Sequence, residues 1–108
     1  MDSRLINRRD LDFILYELLD VEGLTFRDRY REHSRQTFDA TLDTAHQIAE
    51  EKFAPHNRKA DENEPRFVNG HVEMIPEVKD ALRSFIDAGF LSASFDAELG
   101  GMQLPVTV

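Results

Sequence analysis

The sequence predicts an all-α domain of antiparallel helices carrying one short β-hairpin near residues 66–73. Three observations support this. Apolar residues recur at helical spacing in three separate stretches. The dipeptide Asn69-Gly70 sits between Phe67-Val68 and His71-Val72, the preferred occupant of a two-residue turn with positive φ at both positions. Proline and glycine also fall where helices start and stop, at Pro76 and at Gly23 and Gly89.

Leu11, Ile14, Leu15, Leu18 and Leu19 mark the first helix, from Asp10 as its cap to about Asp20, with Gly23 closing it. Phe13 and Tyr16 lie off its densest stripe, so the helix is apolar around much of its circumference and is expected to make contact on more than one side. Thr25 to Arg35 interleaves Arg27, Arg29, Arg31 and Arg35 with Asp28 and Glu32, and reads as a solvated, salt-bridged helix or loop. Phe38, Leu42, Ala45, Ala49 and Phe53 then hold one face, which predicts a long core helix from about Thr37 to Ala54, with Ile48 widening its stripe. Pro55 must stop or bend that helix, because it has no amide hydrogen and its ring crowds the preceding turn.

His56 to Pro65 is polar and reads as a helical tail or a loop. After the hairpin, Pro76 starts a helix whose face carries Val78, Leu82, Phe85 and Ile86, and Gly89 ends it. Phe90 to Phe95 is short and apolar and reads as buried extended chain, followed by a glycine-containing loop from Glu98 to Val108.

At 108 residues the chain is one small domain, below the size at which one chain usually builds a complete cofactor enzyme. Its formal net charge of −8 repels phosphate backbones and anionic headgroups, which argues against nucleic acid and membrane partners. Cysteine is absent, which removes disulfides, thiolate nucleophiles and zinc-thiolate sites. No signal-peptide pattern follows Met1-Asp2-Ser3-Arg4, and no stretch approaches the roughly 20 apolar residues of a membrane span. A cytoplasmic soluble protein is expected.

The four histidines His33, His46, His56 and His71 show no metal-ligand spacing. His46 and Glu50, one turn apart, read as a charged helix pair. Asp61-Glu62-Asn63-Glu64 begins like a calcium loop but meets Pro65 at a ligand position and lacks the required glycine. Gly100-Gly101 has neither the third glycine of a dinucleotide fingerprint nor the lysine of a nucleotide-binding loop. The carboxylate pairs Glu50-Glu51 and Asp61-Glu62 have polar flanks that predict exposure rather than tuning for catalysis. The residues themselves nominate no nucleophile, base, cofactor-binding group or metal ligand.

The order of segments carries more. A long acidic helix, Phe53-Ala54-Pro55-His56-Asn57-Arg58, an acidic patch, Arg66-Phe67-Val68-Asn69-Gly70-His71-Val72, Pro76-Glu77-Val78-Lys79, Ala88-Gly89-Phe90 and Glu98-Leu99-Gly100-Gly101-Met102-Gln103-Leu104-Pro105 follow one another. This order resembles the N-terminal domain of the acyl-CoA dehydrogenase family. The likeness is to a branch with an added N-terminal arm, which includes the methylmercaptopropionyl-CoA dehydrogenases, and Arg9-Asp10-Leu11-Asp12-Phe13-Ile14-Leu15 looks like that arm. Gly100, Gly101, Leu104 and Pro105 match the family loop. There are two departures: Phe90 stands where a tryptophan or similar aromatic is usual, and Gln103 replaces a glycine, although glutamine is a poor occupant of positive φ.

The resemblance implies an arm over 1–23 and a helical domain over 24–108 that stops inside its own fold. It further implies a complete enzyme with a middle β-domain, a C-terminal helical bundle, FAD, a glutamate base and an acyl-CoA substrate, serving fatty acid metabolism. On that reading the chain helps wall the acyl pocket and steady the assembly, holds no catalytic or FAD-binding residue of its own, is inactive alone, and self-associates as a homo-oligomer. The rival expectation is a free-standing helical protein-interaction module.

Overall fold

The computed structural model of the protein describes residues 3–108, and residues 1 and 2, which open the predicted arm, lie outside the described part. Among the described residues four α-helices follow in order, α1 (Arg8–Asp12), α2 (Arg35–Ile48), α3 (Asn57–Glu62) and α4 (Pro76–Asp87), with strands β1 (Arg66–Val68) and β2 (His71–Glu73) between α3 and α4. The all-α class with one small antiparallel hairpin is borne out. Among the described residues no helix is long and apolar enough to cross a membrane.

The first helix begins earlier than its apolar pattern indicates. Asn7, not Asp10, is its cap: the Asn7 side chain accepts the amide of Asp10, which sits inside the first turn. α1 then widens into a π-helical turn over Phe13–Leu18. Termination also shifts, because Asp20 takes the left-handed conformation (φ 48°) predicted for Gly23, and Gly23 lies within a 3-10 turn over Val21–Phe26. The buried face is Leu15 and Tyr16 with Leu11 half-buried, while Ile14, Leu18 and Leu19 from the predicted stripe are exposed. The wider turn moves each side chain off the 3.6-residue register on which that stripe depends.

Ser34 caps α2 in a reciprocal capping box with Thr37. The winding does not end before Pro55. It loosens into a π-helical turn over Ala49–Phe53, tightens into a 3-10 turn over Ala54–His56 that contains the proline, and resumes as α3. Changing pitch around Pro55 avoids asking it for the amide hydrogen it lacks. In the hairpin, Phe67 faces Val72 across the register, and Asn69 and Gly70 take φ of 52° and 83°, as the turn requires.

On α4 the buried residue is Ala81, with Val78 and Phe85 half-buried, whereas Leu82 and Ile86 are exposed. Gly89 closes this helix at φ 86°. Phe90–Ser92 then forms a 3-10 turn rather than the extended chain expected, and Leu91 and Phe95 are exposed. Its apolar run of six residues is too short for hydropathy to separate a strand from a helical turn.

The core gathers Leu15, Tyr16 and Val21 from the first segment, Phe38 from α2 and Leu104 from the C-terminal loop. Phe38 is fully buried and stacks on His33 at 5.6 Å between ring centroids. Arg8 fastens the first segment to α2 through Asp12 (3.0 Å), Asp43 (2.6 Å) and Asp39 (3.6 Å). The Tyr16 hydroxyl donates to Asp39 at 2.5 Å, and the Arg35 guanidinium lies 4.0 Å over the Tyr16 ring. Burial, and then the Asp39 carboxylate, push the Tyr16 hydroxyl well above its ordinary pKa.

Candidate functional site: an apolar cleft closed by the C-terminal loop

The stripe Leu42, Ala45 and Ala49 does not pack wholly against other helices. Together with Ile48 and Phe53 it forms one wall of an apolar cleft of about 500 Å³. Phe85, Phe90 and Leu91 contribute a second wall, and Ala93, Leu104, Pro105 and Val106 a third. Alanine at 45 and 49 is what leaves the space, since larger residues on that stripe would fill it. The volume falls within the range that holds small organic ligands, and the lining is mainly apolar, with Thr41 and Ser94 as its polar side chains.

A loop from Ser94 to Pro105 shapes the third wall. Asp96–Gly101 folds on itself, the amide of Gly101 donating to the Asp96 carbonyl and that of Gly100 to Ala97 (both 3.0 Å). Gly100 takes φ 82° with open space where a side chain would project. Gly101 differs, because a Cβ there would lie 2.1 Å from the Phe95 carbonyl oxygen, so only glycine allows the two strands of the loop to approach. The chain then returns, Gln103 donating its amide to Phe95 and Leu104 to Ala93.

Gln103 adopts φ 48°, the conformation that glycine would take more readily. Its side chain offsets the strain: Oε1 accepts the Ala97 amide at 2.8 Å and Nε2 donates to the Arg29 carbonyl at 3.0 Å. Arg29 itself pairs with Asp96 at 2.6 Å and donates to the Ser94 carbonyl at 3.0 Å, and His33 Nε2 donates to the Met102 carbonyl at 2.8 Å. The Asp96 contact raises the Arg29 pKa further above its already high value. Arg29 and His33, read from sequence as part of a solvated segment, therefore hold the loop in place. Nothing local signals this, because their partners lie more than sixty residues away.

Of the four predicted loop residues, Leu104 and Pro105 line the cleft, whereas Gly100 and Gly101 form the turn behind it. Phe90 lines the cleft and packs on Phe85 at 5.6 Å. The His46–Glu50 pair forms as expected at 3.3 Å, and Glu50 also accepts from the Ser3 hydroxyl. That serine contact, with His46, holds the Glu50 pKa below the ordinary carboxylate value. Glu51, Asp61 and Glu62 are exposed and Glu50 half-buried. Among the described residues no group of three or more His, Cys, Asp or Glu side chains is gathered that could hold a metal ion.

The chain does not fit the diphosphate of FAD at its glycine turn. The amides of Gly100 and Gly101 are spent inside the loop, and Asp96 and Glu98 flank it with negative charge. No flavin step is assigned to these residues.

Comparison with known proteins gives two similar sequences. Butyryl-CoA dehydrogenase of Syntrophomonas wolfei is 30% identical over 92 residues, covering 82% of this chain and 15% of that protein. 3-Methylmercaptopropionyl-CoA dehydrogenase of Ruegeria pomeroyi is 31% identical over 100 residues, covering 93% of this chain and 17% of that protein. No family model matches the chain, and no solved structure does. The chain spans about one sixth of the length of these curated relatives. By sequence, with its order of helices, hairpin and glycine loop, the chain is a relative of the acyl-CoA dehydrogenases over most of its own length.

Proposed function

We propose that the chain forms the helical N-terminal part of an FAD-dependent acyl-CoA dehydrogenase, an oxidoreductase that introduces an α,β double bond into an acyl-CoA thioester. Its cleft supplies part of the wall around the acyl chain, and the enzyme works in the cytoplasm. Residues 1–23 act as an arm seated on the domain of residues 24–108 by the Arg8 and Tyr16 contacts to α2. The mainly apolar cleft between α2 and the Ala93–Val106 segment is the observation that carries this reading, because most of its lining offers hydrocarbon contact, with two hydroxyl side chains, Thr41 and Ser94, as its polar groups. The chain alone is inactive and binds no FAD. Tight yellow complex formation by the purified polypeptide would overturn that part.

The acyl-wall role is tested in a chimaera in which this chain replaces the matched segment of the Ruegeria pomeroyi relative. Ile48→Trp, which fills the cleft, is expected to lower kcat/KM for long acyl-CoA substrates about tenfold or more relative to short ones, at unchanged flavin content. Equal loss for every acyl length would remove the cleft from the substrate site.

A further inference from the structure

Leu42, Ala45 and Ala49 form the floor of two spaces. The cleft lies on one side of them, and on the other a second pocket of about 310 Å³ is bounded by Leu5, Ile6, Arg8, Leu11 and His46. At about 100° per residue, Thr41 and Ile48 flank one edge of this strip and His46 the other, so the two spaces adjoin along a single face of α2. Two of the three residues at the boundary are alanines, too short to raise a wall between them.

A strap of chain crosses the second pocket. Its start is pinned by the Ser3 hydroxyl, which donates to Glu50 and accepts the amides of Leu5 (3.0 Å) and Ile6 (3.3 Å). Its end is pinned by Arg8 on Asp43 and Asp39. Asp43 and Glu50 stand on one edge of the winding, about 10 Å apart along its axis, so the strap spans two turns with Leu5 and Ile6 between its anchors. Both side chains line the pocket yet stay 51% and 39% exposed, because protein does not fill the space beneath them. The charged groups at its border already have partners, Arg8 in Asp12, Asp39 and Asp43, and His46 in Glu50. An apolar guest therefore leaves none of these ion pairs broken.

We propose that the pocket beneath the strap receives the distal end of the acyl chain, so that cleft and pocket act as one channel and Leu5 and Ile6 set the longest chain admitted. This rests on the cleft being the acyl site. The substrate class it assigns is an acyl-CoA thioester whose chain is long enough to pass Ala45 and Ala49 and end in hydrocarbon. Each methylene buried beneath the strap strengthens binding roughly fourfold. A carboxylate at the far end is disfavoured, because Asp12, Asp39, Asp43 and Glu50 outnumber Arg8 around the pocket. The arm is thereby a specificity element, holding two apolar side chains over the end of the channel.

Methyl-resolved NMR of the 108-residue chain tests the proposal with 1-decanol and 1-butanol, uncharged probes that the net charge of −8 does not repel. Decanol is expected to shift the Leu5 and Ile6 methyls and the cleft methyls of Leu91 and Val106 with one dissociation constant, at one molecule per chain. Ile6→Trp, which fills the pocket beneath the strap, is expected to weaken decanol about tenfold or more and butanol, followed at the cleft methyls, less than about twofold. Ile48→Trp weakens both probes. In the chimaera, Ile6→Trp lowers kcat/KM for dodecanoyl-CoA about tenfold relative to butyryl-CoA. Ile6 is exposed, and circular dichroism establishes that each variant is folded. Different constants for the two sets of methyls overturn the channel, as do decanol binding unchanged by Ile6→Trp and equal weakening of both probes. The cleft reading stands in those cases if Ile48→Trp still weakens the probes, and falls with the channel if it does not.

Discussion

The hairpin Arg66–Glu73 and the loop Ser94–Pro105 both turn on glycine, yet they are held by different means. In the hairpin Asn69 and Gly70 take positive φ, the register is set by the two strands alone, and Phe67 and Val72 remain exposed. In the loop Gly100 and Gln103 take positive φ, but Gly101 is pressed against Phe95, and Arg29 and His33 grip the backbone from across the molecule. The hairpin is local chemistry written in two residues. The loop is tertiary structure, and its conformation depends on residues that no local pattern connects to it.

Substitutions can break or sharpen this contrast. Leu104→Ala should have the largest effect, lowering stability by about 2–5 kcal/mol in urea unfolding, because it removes a buried side chain between the Phe38 core and the cleft. Gly101→Ala should cost about 1–3 kcal/mol, with loss of amide-exchange protection at Gln103 and Leu104, since the Phe95 carbonyl must move. Gly100→Ala meets open space and should cost only about 1 kcal/mol. If the two glycine variants were equally stable, the close approach at Gly101 would not be what shapes the loop.

Gln103→Ala keeps the strained φ and loses both side-chain hydrogen bonds, for an expected loss of about 1–2 kcal/mol by the same unfolding measurement. Gln103→Gly, which relaxes the backbone, should recover part of it. Phe67→Ala in the hairpin should change global stability by no more than about 0.5 kcal/mol, and a larger loss would show that the hairpin leans on the helices after all.

Acidity separates another pair of contacts. Glu50 and Glu77 have pKa values held below 4.5, Glu50 chiefly by Ser3 and Glu77 chiefly by Lys59 at 2.7 Å. Their stabilisation is present above 4.5 and is lost as pH falls through the lower folded values. Tyr16 works in the opposite direction. Its folded pKa is raised, so its contribution is intact below pH 10 and declines as pH rises beyond it. Tyr16→Phe should therefore flatten the alkaline limb of a melting-temperature profile and leave the acid limb unchanged.

Much of the fold was legible because it rests on short-range physics. Asn69-Gly70, Pro76 and Gly89 each demand a backbone conformation that few other residues supply, and each occupies the place expected of it. The Phe38–Phe53 stripe was read as core, and the structure shows why that was half right. Spacing shows that residues share a face, but not whether another element arrives to fill the space beside Ala45 and Ala49. The first helix starts before its apolar stripe because Asn7 caps the polar turn Arg8–Asp10, and its buried face departs from the stripe because a π-helical turn over Phe13–Leu18 alters the register on which periodicity depends.

By itself, the sequence determined the helical class, the hairpin turn, the kinship to acyl-CoA dehydrogenases and the exclusion of thiol chemistry, all of which follow from residue type and spacing. Only the tertiary structure decided that Leu104 and Pro105 face an apolar cleft, that Arg29 and His33 anchor the loop, and that Gln103 can occupy a glycine's conformation. Those features depend on contacts between segments distant in sequence, in the case of the Arg29 and His33 anchors more than sixty residues apart. Such contacts form only when the chain has closed on itself, and nothing in a local window of sequence encodes their geometry.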